Sequence, residues 1–476
     1  MGEIILEEVQ NLQERVHELL DDKDIKGLKS LLSSVDDNMK ILQIIQELTR
    51  KETAVVFRLL PKEAALFVFE QLDSPVQREL LESFTDERAR ELVEDLSPDD
   101  RVHLFDEIPA KVAKRLIGLL SPEERKVTYM LMGYEPETAG RIMSPYFINL
   151  HRTMTAADAL AKIRKQAKEE EKETIYTLYV SDGTRKLQGS LSLRRLLAAE
   201  PNELIGDIMH DAVVKVSTDT DQEEVATALK DYDLLSIPVV DREDRIVGIV
   251  TVDDAMDIME QEVTEDMYDA AGLADITGKE TNRSEVLTRG SLWANWKVRM
   301  PFLFITMLAG IGAAFILEGF EEVLTTVVAV AFFIPVVMDM GGSVGTQSTT
   351  VFARGVVLGH ISPQKFFRQL GREVFIGFTI GAIFGTIIFA VILFWQPTAD
   401  ITGWGDAARL GTAVGLALTI TVTIASALGF FIPWVLMKMK LDQAAGSAPL
   451  ITSVKDIVGL LVYFGLASLF LSGLLY

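Results

Sequence analysis

Five long apolar stretches in the last third of the chain constrain the fold more than any other feature of the sequence. They run over about residues 299–317, 323–338, 373–395, 408–437 and 450–475. Apolar stretches of roughly 17–25 residues are long enough for a helix to cross the ~30 Å hydrocarbon layer of a membrane. The sequence therefore predicts an all-α transmembrane bundle of five helices over residues 296–476, and it excludes a uniformly soluble protein.

Charge divides the chain at the same place. Residues 301–476 contain 8 Lys and Arg and 9 Asp and Glu, whereas residues 1–300 contain 38 and 60 and have a net charge of −22. The acidic part argues against nucleic acid as a partner, because phosphates require Lys and Arg, and it favours cations. The absence of Cys excludes disulfides and thiolate metal sites, and five His make a zinc site difficult to assemble.

The basic residues between the apolar stretches predict the membrane topology. They occur between the second and third stretches and just after the fourth: Arg354, Lys365, Arg368, Arg372, Lys438 and Lys440. By the positive-inside rule, the N-terminal domains are expected in the cytoplasm and the C-terminus outside. The chain begins Met1-Gly2-Glu3-Ile4 without a basic and apolar leader, so no signal peptide is expected. The predicted location is the cytoplasmic membrane, with several crossings.

Residues 1–138 have the pattern of short helices. Pro or an N-cap residue recurs every 10–14 residues, as is typical of helix starts. These positions are Leu60-Pro61, Ser74-Pro75, Thr85-Asp86, Ser97-Pro98, Ile108-Pro109 and Ser121-Pro122. Such short helices bury a core only by stacking, so an α-solenoid is predicted.

A tandem α/β repeat follows. The β-rich segment Tyr176–Val180 with Leu187–Leu191 is repeated by Ile237–Val240 with Ile246–Val250, and Gly189 and Gly248 are 59 residues apart. The repeat resembles a pair of cystathionine-β-synthase (CBS) domains, predicted at 139–199 and 200–258. The resemblance implies a module that senses a small ligand.

The segment 253–269 contains eight carboxylates and no Lys or Arg. At 100° per residue, six carboxylates, including Asp254 and Asp257, lie on one half of a helix, and Met256, Met259, Val263 and Met267 lie on the other. This predicts an amphipathic acidic connecting helix with a linker, assigned to 259–295. A merely solvated face is the alternative.

Asp456 is the charge that most requires an explanation in the apolar part. A carboxylate within a span is expected to face a cation or a water-filled path, because contact with lipid is unfavourable by ~2.5–3.5 kcal/mol. The neighbouring Lys455 leaves an internal ion pair as an alternative. Two segments rich in Gly and hydroxyl groups, 341–348 and 442–449, are expected to unwind and line the path. Their candidate pore-lining residues are Gly341, Gly342, Ser343, Gly345, Ser447 and Pro449, with tight helix packing as the alternative.

The chain resembles the MgtE family of magnesium channels. The resemblance rests on Glu137–Met143, on the CBS pair ending at Asp254, on 341–348 with Arg354-Gly355, and on 442–459. It covers nearly the whole chain in the same order of domains. It implies a homodimer in the lipid bilayer that is not an enzyme, with Asp456 holding hydrated Mg²⁺ in the pore.

The resemblance also implies that cytoplasmic Mg²⁺ closes the pore by bridging acidic residues. The matching positions are Asp221, Glu223, Asp233, Asp254, Asp257, Glu262, Glu265 and Asp266, with Asp95, Asp99 and Asp100 as further candidates. Ser343 and Ala448 replace the Asn residues usual in the family, which bears on selectivity. Thr251 and Asp254 fit a CBS pattern for adenine nucleotides such as ATP, with helix capping as the alternative. A Co²⁺ or Mn²⁺ transporter and a non-conducting membrane-anchored Mg²⁺ sensor are the competing functions.

Overall fold

The computed structural model describes residues 2–72, 74–169, 175–273, 280–288, 290–357, 359–361, 365–395, 403–439 and 447–475. It divides into two compact units, 1–262 and 263–476. The multidomain fold class predicted from the sequence is confirmed: a helical domain and two small α/β modules make up most of the first unit, and apolar helices make up most of the second.

Short helices fill the first part of the first unit. Local sequence explains their starts, since Thr85, Ser97 and Ser121 each accept a hydrogen bond from a backbone N–H of the first turn. All six predicted starts coincide with the beginnings of helices. The helices are α1 (Gly2–Asp21), α2 (Ile25–Ser33), α3 (Asn38–Glu47), α4 (Arg50–Leu59), α5 (Lys62–Glu70), α6 (Ser74–Ser83), α7 (Asp86–Asp95), α8 (Pro98–Glu107), α9 (Ala110–Leu119) and α10 (Pro122–Leu131).

One continuous apolar core runs through these helices. It extends from Val16 and Leu28 near the start to Leu116 and Leu120 near the end. Contacts join neighbouring and next-but-one helices, including α3 with α5, α7 with α9 and α8 with α10. This is the stacked arrangement that the spacing of the helix starts predicts.

The two α/β modules each contain a three-stranded sheet, with the orders β1-β2-β3 and β4-β5-β6. In each sheet the first pair of strands is parallel and the second pair is antiparallel. The elements are α11 (Ala139–Ile142), β1 (Asn149–His151), α12 (Ala156–Glu169), β2 (Thr177–Ser181), β3 (Leu187–Ser192), α13 (Leu193–Ala198), α14 (Ile205–Ile208), β4 (Val216–Ser217), α15 (Gln222–Asp231), β5 (Ser236–Val240), β6 (Ile246–Thr251) and α16 (Val252–Ala270).

The two modules pack against each other through equivalent strands. The hydroxyl groups of Tyr179 on β2 and Ser236 on β5 are hydrogen-bonded at 2.8 Å, and Tyr179 is buried with Ile246 and Ile249. At Gly189 and Gly248 the backbone leaves no room for a side chain, since a Cβ atom would lie within 2.8 Å of a carbonyl oxygen at either position. The tandem repeat predicted from the sequence therefore corresponds to two modules with the same fold.

Five helices of the second unit are long and apolar enough to span a membrane. The second of them begins six residues later than the predicted span and ends well beyond it. The helices of this unit after α16 are α17 (Glu280–Thr288), α18 (Leu292–Gly319), α19 (Glu321–Thr326), α20 (Ala329–Val357), α21 (Phe366–Trp395), α22 (Trp404–Lys438) and α23 (Ser447–Leu475).

Helix α22 contacts α20, α21 and α23 and is the most buried of the five spanning helices. It packs tightly against α21, where a Cβ atom on Gly385 would lie 2.4 Å from the carbonyl oxygen of Gly415. Small residues allow two helix backbones to approach in this way, and close packing is a main source of stability between membrane helices. The arrangement leaves one face of α20 beside α23.

Candidate cation sites

A cavity of about 920 Å³ lies between α20 and the first half of α23. Ser343, Thr346, Gln347 and Thr350 form one side of it, and their spacing of three and four residues places them on one face of α20. Asp339, Gly342, Val351, Thr452 and Lys455 complete the lining. Six of the nine lining residues carry a side-chain oxygen atom, and such oxygens suit a hydrated hard cation.

The segment 341–348 is helical, so the expectation that it unwinds was wrong. Its hydroxyl groups stabilise the helix, since Thr346 Oγ1 donates to the carbonyl of Gly342 at 3.0 Å and Thr350 Oγ1 donates to that of Thr346 at 3.1 Å. The glycines instead allow close packing: Gly341 faces Thr421 on α22, and Gly345 faces Ile451 on α23. Of the predicted pore-lining residues, Gly342 and Ser343 line the cavity.

Ser447 and Pro449 lie in the first turn of α23. Their side chains lie outside the described residues, as do residues 440–446 entirely. The pore-lining role predicted for Ser447 and Pro449 stays a prediction.

Asp456 lies on α23, and its side chain is 35% exposed in the isolated chain. The ammonium group of Lys455 donates to its Oδ1 atom at 2.7 Å, which is the ion pair that the sequence left open. Lys455 itself is 4% exposed and also donates to the carbonyl of Met338 on α20 at 2.5 Å. The counter-charge of Asp456 is therefore Lys455, a residue that lines the cavity.

Sequence reasoning also missed Asp339 and Glu373, which lie within the spanning helices α20 and α21. Asp339 lines the cavity, one residue beyond the predicted end of the second span. Glu373 on α21 accepts a hydrogen bond from Ser348 on α20 at 2.6 Å, and Ser426 on α22 donates to its backbone carbonyl at 3.0 Å. Glu373 thus joins three helices, whereas Asp339 faces the cavity.

Carboxylates also converge where α8 of the helical domain packs on α16. Burial raises the pKa of Asp254 well above its usual range, and the nearby charges of Asp99 and Asp100 raise it further. Loss of solvent and the charge of Asp100 raise the pKa of Asp257 as well. The structure therefore brings together four of the predicted regulatory residues, and this crowding favours the neutral forms of Asp254 and Asp257.

Asp254 also stabilises the start of α16. Its Oδ2 atom accepts hydrogen bonds from the backbone N–H of Thr251, at 3.2 Å, and from the Thr251 hydroxyl. This is the capping arrangement that the sequence offered as the alternative to nucleotide binding for this pair.

A second acidic group surrounds Glu262 in the middle of α16. Gln222 donates to Glu262 Oε1 at 2.6 Å, and Asp221 caps α15 by accepting from the N–H of Glu223 at 2.9 Å. Burial raises the pKa of Glu262 to about 7, and the charges of Glu223, Asp221 and Glu137 contribute in the same direction. Glu137 was not among the predicted ligands, although it lies in the segment Glu137–Met143 that carries the family resemblance.

Other predicted residues lie elsewhere. Asp95 forms an ion pair with Lys62 at 2.7 Å within the helical domain. Asp233 follows α15 at the end opposite Asp221, in a left-handed turn with φ of 50°. Glu265 and Asp266 lie further along α16, in the second unit.

Within the described part of the chain, no group of three His, Asp or Glu side chains is close enough to hold a metal ion directly. The donors nevertheless fit Mg²⁺, which prefers carboxylates and retains several of its waters. Burial and neighbouring negative charges raise the pKa values of Asp254 and Glu262, and a bound divalent cation would relieve both effects.

Comparison with known proteins gives a consistent result. Family models described as "MgtE intracellular N domain", "CBS domain" and "Divalent cation transporter" match residues 36–137, 205–261 and 334–466. The chain is 34% identical to the magnesium transporter MgtE of Thermus thermophilus, over 97% of this chain and 99% of that protein. It is 32% identical to that of Bacillus subtilis, over 97% of both chains. A crystal structure of the cytosolic domain of the Mg²⁺ channel MgtE in complex with ATP is 38% identical, covers 52% of this chain and 99% of its own, and has a TM-score of 0.49.

Proposed function

The chain belongs to the MgtE family of divalent cation transporters, and from this premise we propose that it is a Mg²⁺ channel closed by Mg²⁺ on its cytoplasmic side. The observation that carries the proposal is the Asp456 carboxylate within a spanning helix, ion-paired at 2.7 Å with Lys455, which lines a cavity together with hydroxyl and amide side chains. Relatives named as magnesium transporters over nearly the full length support Mg²⁺ as the cargo.

The chemistry of the cavity favours a hydrated hard ion. Hydroxyl and amide oxygens on α20 accept hydrogen bonds from the inner waters of Mg²⁺, which are released reluctantly. The Asp456 carboxylate supplies the charge that attracts the ion. Because the chain has no Cys and only five His, a site suited to softer metals such as Co²⁺ is disfavoured.

The direction of transport follows from the membrane potential. An inside-negative potential stabilises a cation on the inner side by ~2.3 kcal/mol per charge per 100 mV, and a divalent ion experiences twice this. Uptake therefore requires no coupled ion.

The two acidic groups on α16 support regulation by intracellular Mg²⁺. One group lies between α8 and α16, around Asp254, and the other lies between α15 and α16, around Glu262. A divalent ion would stabilise the ionised carboxylates and hold α8, α15 and α16 together. Release of Mg²⁺ would leave the carboxylates repelling one another and would favour separation of these helices. Glu265 and Asp266 are proposed as further ligands on the same helix.

Several other features belong to the same proposal. We assign CBS domains to 139–199 and 200–258 and the pore domain to 296–476, in a homodimer with its C-terminus outside. Nucleotide binding by the CBS pair is supported only by the sequence pattern at Thr251 and Asp254.

Flux into liposomes tests the proposal. Purified protein is reconstituted with a Mg²⁺-sensitive dye inside, and Mg²⁺ is added outside under an inside-negative potential. Asp456→Ala is expected to abolish the flux with an unchanged size-exclusion profile, and Asp456→Asn is expected to resemble it, because the amide lacks the charge. Normal flux through folded Asp456→Ala would show that the ion path lies elsewhere. Absence of flux in the unaltered protein would favour a non-conducting sensor. Faster flux of Co²⁺ or Mn²⁺ than of Mg²⁺ would identify that ion as the transported cation instead.

A further inference from the structure

Lys455 is a buried cation within the membrane domain. Its side chain is 4% exposed, and its ammonium group donates to the Met338 carbonyl at 2.5 Å and to Asp456 Oδ1 at 2.7 Å. The Met338 carbonyl belongs to α20 and Asp456 to α23. The ammonium therefore lies between the two helices that form the cavity.

The glycines of α20 provide the space for this ammonium. A Cβ atom on Gly342 would lie 3.0 Å from Lys455 Nζ, which is too close for an unstrained contact. Gly342 and Lys455 both line the cavity, together with Ser343. The positive charge is thus on the wall of the cavity that carries the oxygen-bearing side chains.

We propose that Lys455 is a tethered cation that occupies the Asp456 carboxylate until Mg²⁺ displaces it, and that it thereby excludes monovalent cations. The inference rests on the proposed role of Asp456 as the ion-binding group of the pore. It assigns to Lys455 a role in specificity, beyond the ion binding proposed for Asp456.

Charge and tethering explain why such a group would discriminate between ions. Na⁺ and K⁺ carry the same charge as the ammonium, but the ammonium is tethered to the preceding residue of the same helix and so is always close to the carboxylate. A divalent ion interacts twice as strongly with the carboxylate, so it competes where a monovalent ion does not. The Met338 carbonyl provides an acceptor that continues to hold the ammonium when Asp456 binds the divalent ion.

Three variants separate charge from packing. Lys455→Gln keeps an N–H donor for the Met338 carbonyl without the charge, Lys455→Met keeps an unbranched but apolar side chain that is one atom shorter, and Lys455→Arg keeps the charge. Lys365→Met, at an exposed Lys on the N-terminal side of α21, is the control for removal of one positive charge from the same domain. Full-length proteins in liposomes are assayed with Mg²⁺ alone, and with Na⁺ alone in the presence of a chelator.

Lys455→Gln and Lys455→Met are expected to lower the half-saturating Mg²⁺ concentration by about tenfold, the effect of removing one competing charge-assisted hydrogen bond. Both are also expected to admit Na⁺ in the absence of Mg²⁺, whereas Lys455→Arg and Lys365→Met are not. Unchanged half-saturation without Na⁺ flux in either folded neutral variant would overturn the inference. Failure of both neutral variants to fold would show that Lys455 serves packing, and it would overturn the inference too.

The same assay distinguishes this inference from the proposed function. If Asp456→Ala abolishes Mg²⁺ flux and the neutral Lys455 variants behave like the unaltered protein, the tethered-cation role is wrong and the pore assignment stands. If Asp456→Ala conducts normally, the proposed pore itself is wrong.

Discussion

Gln222 donates a hydrogen bond over 2.6 Å to the carboxylate of Glu262, so the start of α15 is joined to the middle of α16 by a group that titrates near neutral pH. Burial, with the charges of Glu223 and Asp221, raises the pKa of Glu262 to about 7 from an ordinary value of 4.5. As the pH rises between these two values, ionisation of Glu262 lowers the stability of the folded chain. A cation that binds the ionised form offsets this loss.

We predict that the Mg²⁺ concentration that protects the cytoplasmic domains of the full-length protein from protease falls as the pH is raised from about 6 to about 8. The reason is that Mg²⁺ must compete with a proton at Glu262 below its pKa of about 7. Glu262→Gln should reduce this pH dependence, because the amide does not titrate, and the part that remains is expected from Asp254 and Asp257, whose pKa values are also raised. Digestion at a series of Mg²⁺ concentrations, at constant ionic strength, measures the effect.

Glu224→Gln is the matched control for that experiment. Glu224 is an exposed acidic residue in the first turn of α15, and it is not among the charges that raise the pKa of Glu262. Its variant should keep the pH dependence of the unaltered protein. If both variants lose the pH dependence, or if Na⁺ protects as well as Mg²⁺, the protection arises from general screening of charge and not from Mg²⁺ binding at Glu262.

The carboxylates between α8 and α16 give a second prediction. In the double variant Asp100→Asn with Asp254→Asn, cytoplasmic Mg²⁺ should inhibit flux only at a concentration about tenfold or more above that for the unaltered protein, since two ligands lose their charge. Flux into liposomes at increasing Mg²⁺ on the cytoplasmic face measures this. If the carboxylates only repel one another, the variant should instead close without Mg²⁺.

Asp95→Asn is the control for the α8–α16 variant. The sequence suggested Asp95, Asp99 and Asp100 equally, but the structure places Asp95 in an ion pair with Lys62. Surface pairs of this kind contribute little, typically up to ~1 kcal/mol, so inhibition by Mg²⁺ should be nearly unchanged. A large effect of Asp95→Asn would contradict the assignment of the site to Asp99, Asp100 and Asp254.

Local signals explain why much of the fold could be predicted from the sequence. A Pro or an N-cap residue acts within one turn, so the starts at Ser97 and Ser121 follow from a few residues each. Hydropathy located the five spans for the same reason. It placed the end of the second span at residue 338, because the glycines that follow are less apolar, and Asp339 was therefore overlooked. Packing against α22 and α23 keeps that segment helical.

The grouping of the acidic residues could not be predicted, because it depends on contacts between distant parts of the chain. Asp99 and Asp254 are brought together by one apolar core, which contains Val102 from α8 and Ile258 from α16. The amphipathic pattern of α16 also misled in part: Met256 and Met267 are exposed in this chain, whereas Asp254 on the acidic half contributes to a partly buried site.

Helix packing in the membrane domain gives a third prediction. Gly385→Ala should destabilise the α21–α22 contact by roughly 1–3 kcal/mol, because the added methyl group would lie 2.4 Å from the Gly415 carbonyl oxygen. Gly371→Ala on the same helix is the control, since nothing beyond the neighbouring backbone of its own helix lies within 4 Å of its Cβ position. Thermal unfolding in detergent should show a lower melting temperature for the first variant alone. Equal melting temperatures would mean that the two backbones are further apart.

The last prediction concerns Asp339, which lines the cavity on α20 and is exposed to it. A carboxylate at this position raises the local concentration of cations through its field without needing to bind them directly. Asp339→Asn should therefore raise the half-saturating Mg²⁺ concentration a few-fold and leave the maximal flux nearly unchanged, in contrast to the loss expected for Asp456→Ala. The difference in half-saturating Mg²⁺ concentration between Asp339→Asn and the unaltered protein should shrink at high ionic strength, because salt screens the field of an exposed charge.

Glu321→Gln, on the short helix α19 away from the cavity lining, controls for the loss of one negative charge. Liposome flux at low and high ionic strength decides the outcome: an unchanged half-saturation in Asp339→Asn would place Asp339 outside the route of the ion, and complete loss of flux would make it a binding group equal to Asp456.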